Sequence, residues 1–481
     1  MLNSLKSLSN LYQDYPSKII FEEDGVQISV QEFADQVMSY IHAHEHDHLN
    51  IGVFANNGLQ WAIAECGISA TENTFIPLPR FFSDEQLQGI IKDSECDLIY
   101  TDSNNYDRIS KLFSNTKLFL NGSIPFQLSD QEIHHTRIIY TSGTTGTPKG
   151  VIQTCKQMNL VTDALVQHFN INCNDKYFSL LPSSTLLEQI ASIHCILQGS
   201  ACTVFKPEIS NEIFNLKSNF VEEIAKHKIN LLCLTPALLD VFMKSYQQSE
   251  QLFTYPFKAI TVGGSKAPVS ILEKAKDLKL PIVEGYGLSE CCSVVSVNHP
   301  STNKTGSVGR VLPGMEVIIK DSEVLVKSHS LMKGYKHKEP FQDEYYHTGD
   351  LGEIDDEGYL TILGRKDDVI ALKNGRNINP SWIESLVSKN LNLIDVYAFN
   401  NANNEFSLAL RIPEHMSSIN IKSQIDTFVP EYARPERVYA IQPDFITKNT
   451  LMNSSGKIDK FKLQKIINSN LNNERKNHEV L

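Results

Sequence analysis

Residues 140–150 read YTSGTTGTPKG, Tyr140 to Gly150. The run holds three glycines, four threonines, a serine and a lysine, and no hydrophobic side chain follows Tyr140 until Val151. Gly, Thr and Pro all disfavour a helix interior, and nothing in the run could pack in a core strand. What is left is a polar loop. Backbone N–H groups free of bulky side chains can converge on one concavity, as they do around phosphate oxygens. The hydroxyls add donors and Lys149 adds a positive charge. The preceding TRIIY (136–140) reads as a strand, so the loop is expected to leave a sheet edge where ligands bind. A Walker A loop needs G-x-x-x-x-G-K-[ST] opening a helix. Here Pro148 precedes the lysine and Gly150 follows it, so that pattern fails. A linker also fits poorly, because linkers do not carry this threonine density directly after an apolar strand.

On either side of the loop, short β-branched runs alternate with helical spacing. NIGVFANN (50–57), TFIPLP (74–79) and DLIYTD (97–102) read as strands. NGLQWAIAECGISATEN and SDEQLQGIIKDS between them read as helices. KAITVGG and PIVEGYG are strands flanking the helical PVSILEKAKDLKL. Such βαβ units predict α/β architecture with a mostly parallel, helix-covered sheet. The texture changes after Gly314. MEVIIKDSEVLVKS reads as a hairpin turning at KDSE, and GEIDDEGYLTILGR as another turning at DDEG, a β-rich subdomain. From about Lys366 the chain is long enough for a small α+β domain. The expected boundary lies near Arg365–Asp368, dividing an N-terminal core (1–365) from a mobile C-terminal domain (366–481).

The chain has 481 residues, 41% of them hydrophobic, enough for more than one core. Its net charge of −12 argues against a general nucleic-acid binder. Nine scattered cysteines form no CxxC pair, which predicts reduced thiols and no zinc site. Adjacent Cys291 and Cys292 are expected to line a pocket. The start, MLNSLKSLSN, lacks a secretory pattern, and no apolar window is long enough to span a bilayer. A cytoplasmic protein is expected. HAHEHDH (42–48) is read as a solvated helix end, with metal binding as the other reading.

Four further stretches suit the chemistry of the opening loop. EGYGLSE (284–290) sets Glu290 after a glycine turn, and YHTGDLG (346–352) sets Asp350 where it can accept from two vicinal hydroxyls. GRKDD (364–368) adds a guanidinium, and SSGKIDK (454–460) puts Lys457 in a second glycine loop. Together they would grip ATP.

With these motifs, in this order along nearly the whole chain, the sequence resembles the adenylate-forming superfamily. That superfamily comprises acyl- and aryl-CoA synthetases, nonribosomal peptide adenylation domains and luciferases, and the pattern here is most similar to fatty acyl-CoA synthetases. The resemblance implies a ligase that joins a carboxylic acid to the α-phosphate of ATP, releases pyrophosphate, and passes the acyl group to a thiol. It implies that Thr141, Ser142, Gly143, Thr144, Thr145 and Lys149 hold the phosphates. Glu290, with Thr145, would hold Mg²⁺. Gly264, Ser265, Gly285, Tyr286, Gly287 and Ser289 would line the adenine slot. Asp350, supported by Arg365, would bind the ribose. Lys457 would bridge the incoming carboxylate and the α-phosphate; with Thr145 and Glu290 it forms the implied catalytic set. Asp367 would be the hinge about which the small domain rotates, bringing Gly375 beside a pantetheine arm. Two positions depart from the family's pattern: Asn377 stands where many relatives have a basic residue, and Ser289 replaces a usual threonine.

By the same resemblance the acyl pocket is walled by 181–197, 260–268 and 287–296, with Leu187, Glu188, Gly263 and Cys291 in it. No Asp occurs between Ser179 and Leu187 to pair with an α-ammonium, so an amino acid is not the expected substrate. Leu186, Leu187, Ile190 and Ile193 suggest an apolar wall and a medium or long fatty acid, with an aryl acid second. CoA is the default acceptor, and a carrier-protein phosphopantetheine the alternative. A non-catalytic nucleotide-binding relative is the competing class.

Overall fold

The computed structural model describes the whole chain except residues 129–134, 142–147, 213–219, 369, 373–376, 394, 404, 413–419, 443–444, 446–450, 452–459 and 474–481. Two large sheets form its first part. One has seven strands in the order 334–335, 149–154, 136–141, 74–77, 50–54, 98–101, 116–118. The other has nine, in the order 310–311, 296–297, 282–286, 259–262, 231–234, 176–179, 202–205, 19–23, 26–29. Both are parallel through their middles and turn antiparallel toward an edge. The expected βαβ pattern is therefore present, with the helices Val30–His44, Leu59–Ser69 and Cys155–His168 sharing one hydrophobic core with strands of both sheets.

Local chemistry explains the element ends. Ser29 and Ser83 accept from the N3 amides of their helices, and Glu32 and Gln86 return the bond, two reciprocal capping boxes. The hairpin Met315–Lys320/Glu323–Ser328 turns at Asp321 and Ser322, both at positive φ (51° and 63°), as a two-residue hairpin turn requires. The second expected hairpin is Tyr346–Ile354 with Leu360–Arg365, and the two make a four-stranded sheet.

Beyond Arg365 the chain forms a separate apolar cluster that runs from Ile370 to Ala440. A three-stranded sheet (396–400, 406–411, 437–441) is backed by the helices Pro380–Leu391 and Ile421–Phe428. This is the smaller α+β unit. Among the described residues no helix is long and apolar enough to cross a membrane.

Candidate active site

The strand Thr136–Thr141 pairs antiparallel with Lys149–Thr154, Thr141 opposite Lys149 and Tyr140 opposite Gly150. The glycine–threonine loop is thus the connection of a hairpin within the sheet. It follows the carboxyl end of the strand Thr136–Thr141, and Lys149 belongs to the returning strand, where it is exposed. Gly150 has a packing reason: a Cβ there would sit 2.8 Å from Ile138 Cγ2 and 3.0 Å from the Tyr140 ring. Of the loop, Ser142, Gly143, Thr144 and Thr145 lie outside the described residues, as do Gly375 and Lys457.

The outer side of the returning strand is covered by the short strand Gly334–Tyr335, Tyr335 opposite Val151. That pairing sends the Tyr335 hydroxyl to Glu290 Oε1 at 2.9 Å, and the Tyr346 hydroxyl lies 3.0 Å from it. The backbone near Glu290 is fixed as well, because Met332 N donates to its carbonyl at 2.7 Å and Gln153 Nε2 to the Ser289 carbonyl at 2.6 Å. Burial pushes the Tyr335 phenol up to about 12, so it remains a donor to the carboxylate. Tyr335 and Tyr346 were not anticipated from sequence. Tyr346 opens the YHTGDLG stretch, where only Asp350 drew attention, and the register that unites the two tyrosines with Glu290 is non-local.

Asp350 and Arg365 face each other across adjacent strands. Arg365 Nη1 donates to Asp350 Oδ1 at 3.0 Å and to the Thr348 carbonyl at 3.1 Å, while the Tyr286 hydroxyl donates to Asp350 Oδ2 at 2.5 Å. Burial and then the Asp350 charge both raise the Tyr286 phenol, keeping it protonated. Gly349 takes φ +71°, and a Cβ there would approach Arg365 Nη2 to 3.1 Å. Three of the sequence-derived positions, 79 residues apart at their extremes by number, thereby meet in one cluster of side chains. Gly287 keeps the turn between Tyr286 and Glu290 tight, since a Cβ on it would fall 1.7 Å from the Ser293 carbonyl oxygen.

Beneath this cluster lies a cavity of about 260 Å³. Its upper rim is Gly263, Gly264, Gly285, Tyr286, Gly287 and Ser289, and its walls include Leu186, Leu187, Ile190 and Cys233. No charged side chain lines it among the described residues. Ala259, Thr261 and Gly263 alternate along one strand, with Leu231 and Cys233 opposite the first two on the next. At roughly 3.3 Å per residue the cavity follows that strand for some 13 Å from rim to floor. Phe169, Ile171 and Ile196 complete the apolar lining.

Leu187 and Gly263 line this cavity; Glu188 and Cys291 do not. Glu188 is fully buried and accepts from Tyr177 Oη at 2.8 Å and Ser179 Oγ at 2.7 Å. Burial pushes its carboxyl up to about 7 against those bonds. Cys291 packs with Val295, Val308 and Val324, and Cys292 Sγ lies 3.6 Å from Met158 Sδ, so the thiols belong to the core instead of the pocket wall. Ser265 is exposed on a neighbouring cleft that Ser381 and Lys460 of the C-terminal part share. Asp367 is exposed two residues past Arg365. The histidine run is only partly a solvated end: His44 is buried, between Asp47 Oδ2 and Tyr100 Oη, each at 2.8 Å. No group of three or more metal-ligating side chains occurs among the described residues.

Comparison with known proteins adds to this geometry. The family model described as AMP-binding enzyme matches residues 12–336. The 2-succinylbenzoate–CoA ligase of Lactococcus lactis subsp. lactis (strain IL1403) is 26% identical over 395 residues, covering 80% of this chain and 84% of its own. That of Bacillus velezensis is 30% identical over 267 residues, 52% of each chain, so this chain spans about half the length of that relative. Among solved structures, o-succinylbenzoate CoA synthetase from Bacillus subtilis with its acyl-adenylate intermediate superposes with a TM-score of 0.77 at 21% identity, over 95% of this chain and 97% of the other. The anthranilate CoA ligase AuaEII in complex with anthranoyl-AMP gives 0.82 at 17% identity, over 98% of each. These relatives are named for succinylbenzoate and anthranilate, so the finer likeness to fatty acyl-CoA synthetases draws no support from them.

Proposed function

Since the chain belongs to the AMP-binding enzyme family and is an AMP-forming acid–thiol ligase, we propose that it activates an apolar monocarboxylic acid as its acyl-adenylate and transfers the acyl group to CoA. The uncharged cavity that opens under the Tyr286–Asp350–Arg365 cluster carries this reading. An acid with a second carboxylate, such as succinylbenzoate, would bury a charge there without a described counter-ion, which is costly. The length of the cavity, about 13 Å along the strand, favours an extended chain over a single ring. A medium-chain fatty acid is therefore the preferred substrate and an aryl acid the second.

The chain's own groups can be given parts. Asp350 keeps unused lone pairs on both oxygens after accepting from Arg365 and Tyr286, enough to accept from two ribose hydroxyls. Tyr286 offers its ring face to the base while its hydroxyl orients Asp350. Glu290 presents a hard oxygen donor held by Tyr335, which fits Mg²⁺, a cation commonly bound through one or two carboxylates and water. When bound, that ion offsets the phosphate charge that otherwise repels a second anion. Lys149, with Ser142, Thr144 and Thr145, is assigned the outer phosphates, and Lys457 the approaching carboxylate. The division at Arg365/Lys366 and the hinge at Asp367 are part of the same proposal, supported by the separate apolar cluster that begins at Ile370.

ATP–pyrophosphate exchange with straight-chain and aryl acids tests the first step. Exchange that peaks with a straight-chain acid agrees with the reading; exchange with dicarboxylic acids alone, or with none, refutes it. Acyl transfer to CoA against a phosphopantetheinylated carrier protein then identifies the thiol.

A further inference from the structure

The acyl-cavity wall contains an irregular turn. After Leu186–Gln189 the helix widens into a π-turn over Ile190–His194 before resuming as Cys195–Gly199. π-turns are rare and concentrate at functional sites. Its cavity side presents Ile190 and Ala191. Its other side meets a fully buried charge cluster that no step above uses.

In that cluster Arg137 Nη1 donates to Glu65 Oε1 at 2.9 Å and to Gln189 Oε1 at 2.6 Å. His194 Nε2 lies 2.9 Å from the same Glu65 oxygen, and its Nδ1 lies 2.8 Å from Ser4 Oγ. Gln189 immediately precedes the π-turn and His194 ends it. Both ends of the irregular segment are therefore fastened to one ion pair, and Gln189 Nε2 also reaches back to the Ser183 carbonyl at 3.0 Å. Arg137, Glu65, Gln189 and His194 are all at most 1% exposed. A buried ion pair adds little stability over apolar residues of the same volume. Fixing one geometry is what such a pair can do that leucines cannot. Arg137 also stands on the strand that ends at Thr141, so the acyl wall and the phosphate hairpin hang from the same guanidinium.

We propose that Arg137 and Glu65 form a positioning clamp that grips the π-turn at Gln189 and His194, holds the Ile190–Ala191 wall in shape, and so sets which acids the cavity accepts. This rests on the reading that the cavity takes the acyl chain. None of the four residues touches the cavity, and each acts through Ile190 and Ala191.

Gln189→Met tests it most gently, because Arg137 keeps Glu65 when the amide is lost. In ATP–pyrophosphate exchange the relative kcat/KM for the two best acids should shift about tenfold, the size of effect one methylene's fit produces. The shift should appear in the KM for acid and leave the KM for ATP unchanged. His194→Gln, which retains a donor toward Glu65, should hold the wild-type acid profile better than His194→Leu. This second pair decides the matter if Gln189→Met fails to fold. Profiles that stay parallel to wild type in the folded variants, whatever their Tm, overturn the clamp while leaving the acyl-adenylation reading intact. A wild-type enzyme that exchanges with no acid overturns both.

Discussion

Thr261→Phe puts the assignment of the acyl cavity at risk. Thr261 sits midway down the cavity-lining strand, one rung below Gly263 and one above Ala259, with its Oγ1 bonded to the Leu232 carbonyl at 3.1 Å. A phenyl ring there closes the lower rung, roughly 6.6 Å of channel or space for about five methylenes. At about 0.8 kcal/mol per buried methylene, a chain that used the whole channel loses about 4 kcal/mol of binding. That corresponds to roughly three orders of magnitude in kcat/KM for the longest acids. Acids that end above the rung should lose little, and the KM for ATP should hold, because Asp350 and Arg365 are untouched. Exchange kinetics across straight-chain acids of increasing length measure this directly. A uniform fall over the whole series, with no dependence on length, would refute the placement of the acyl chain along this strand.

Tyr286→Phe removes the 2.5 Å donor to Asp350 and should raise the KM for ATP about tenfold, in keeping with one lost hydrogen bond to a charged group, with the KM for acid steady. Tyr335→Phe frees Glu290 Oε1, and the Mg²⁺ concentration at half-maximal exchange should rise about tenfold, as for a lost outer-shell partner of a ligand. Glu188 has a carboxyl pushed up to about 7 in the folded chain, so the folded state binds its proton more tightly than the unfolded state. Its contribution to stability is complete below the unfolded value of about 4.3 and is lost as pH rises through 7. Glu188→Gln should therefore gain Tm relative to wild type as pH climbs over that window; thermal melts at a series of pH values show whether the gap widens.

The legible parts of the fold were those written in local patterns. KDSE predicted its hairpin because Asp and Ser are turn-forming residues, and Asp tolerates the positive φ that a two-residue turn needs. Asp350, Arg365 and Tyr286 were legible as motif residues, although their mutual bonds were not. What stayed hidden depends on partners far along the chain. The Tyr335–Glu290 bond follows from a two-residue strand joining a sheet edge, and two residues give no periodicity to read. The family resemblance put Glu188 in the pocket, yet the helix turns it toward Tyr177 and Ser179. The π-turn leaves no mark in apolar spacing, because this segment is buried on nearly every side and has no polar face whose displacement could be read. Arg137 and Glu65 were visible as charges inside apolar runs, and that anomaly was the available signal for the buried cluster.

The returning strand Lys149–Thr154 takes its outer neighbour from residues 334–335, about 180 positions later in the chain. During synthesis the N-terminal sheet is thus finished only after the C-terminal half of the large domain has emerged. Until then Gly150 and Ile152 present carbonyls that later accept from Lys336 and Lys333. A nascent or truncated chain ending before this point carries an open β-edge, which is a template for association with other chains.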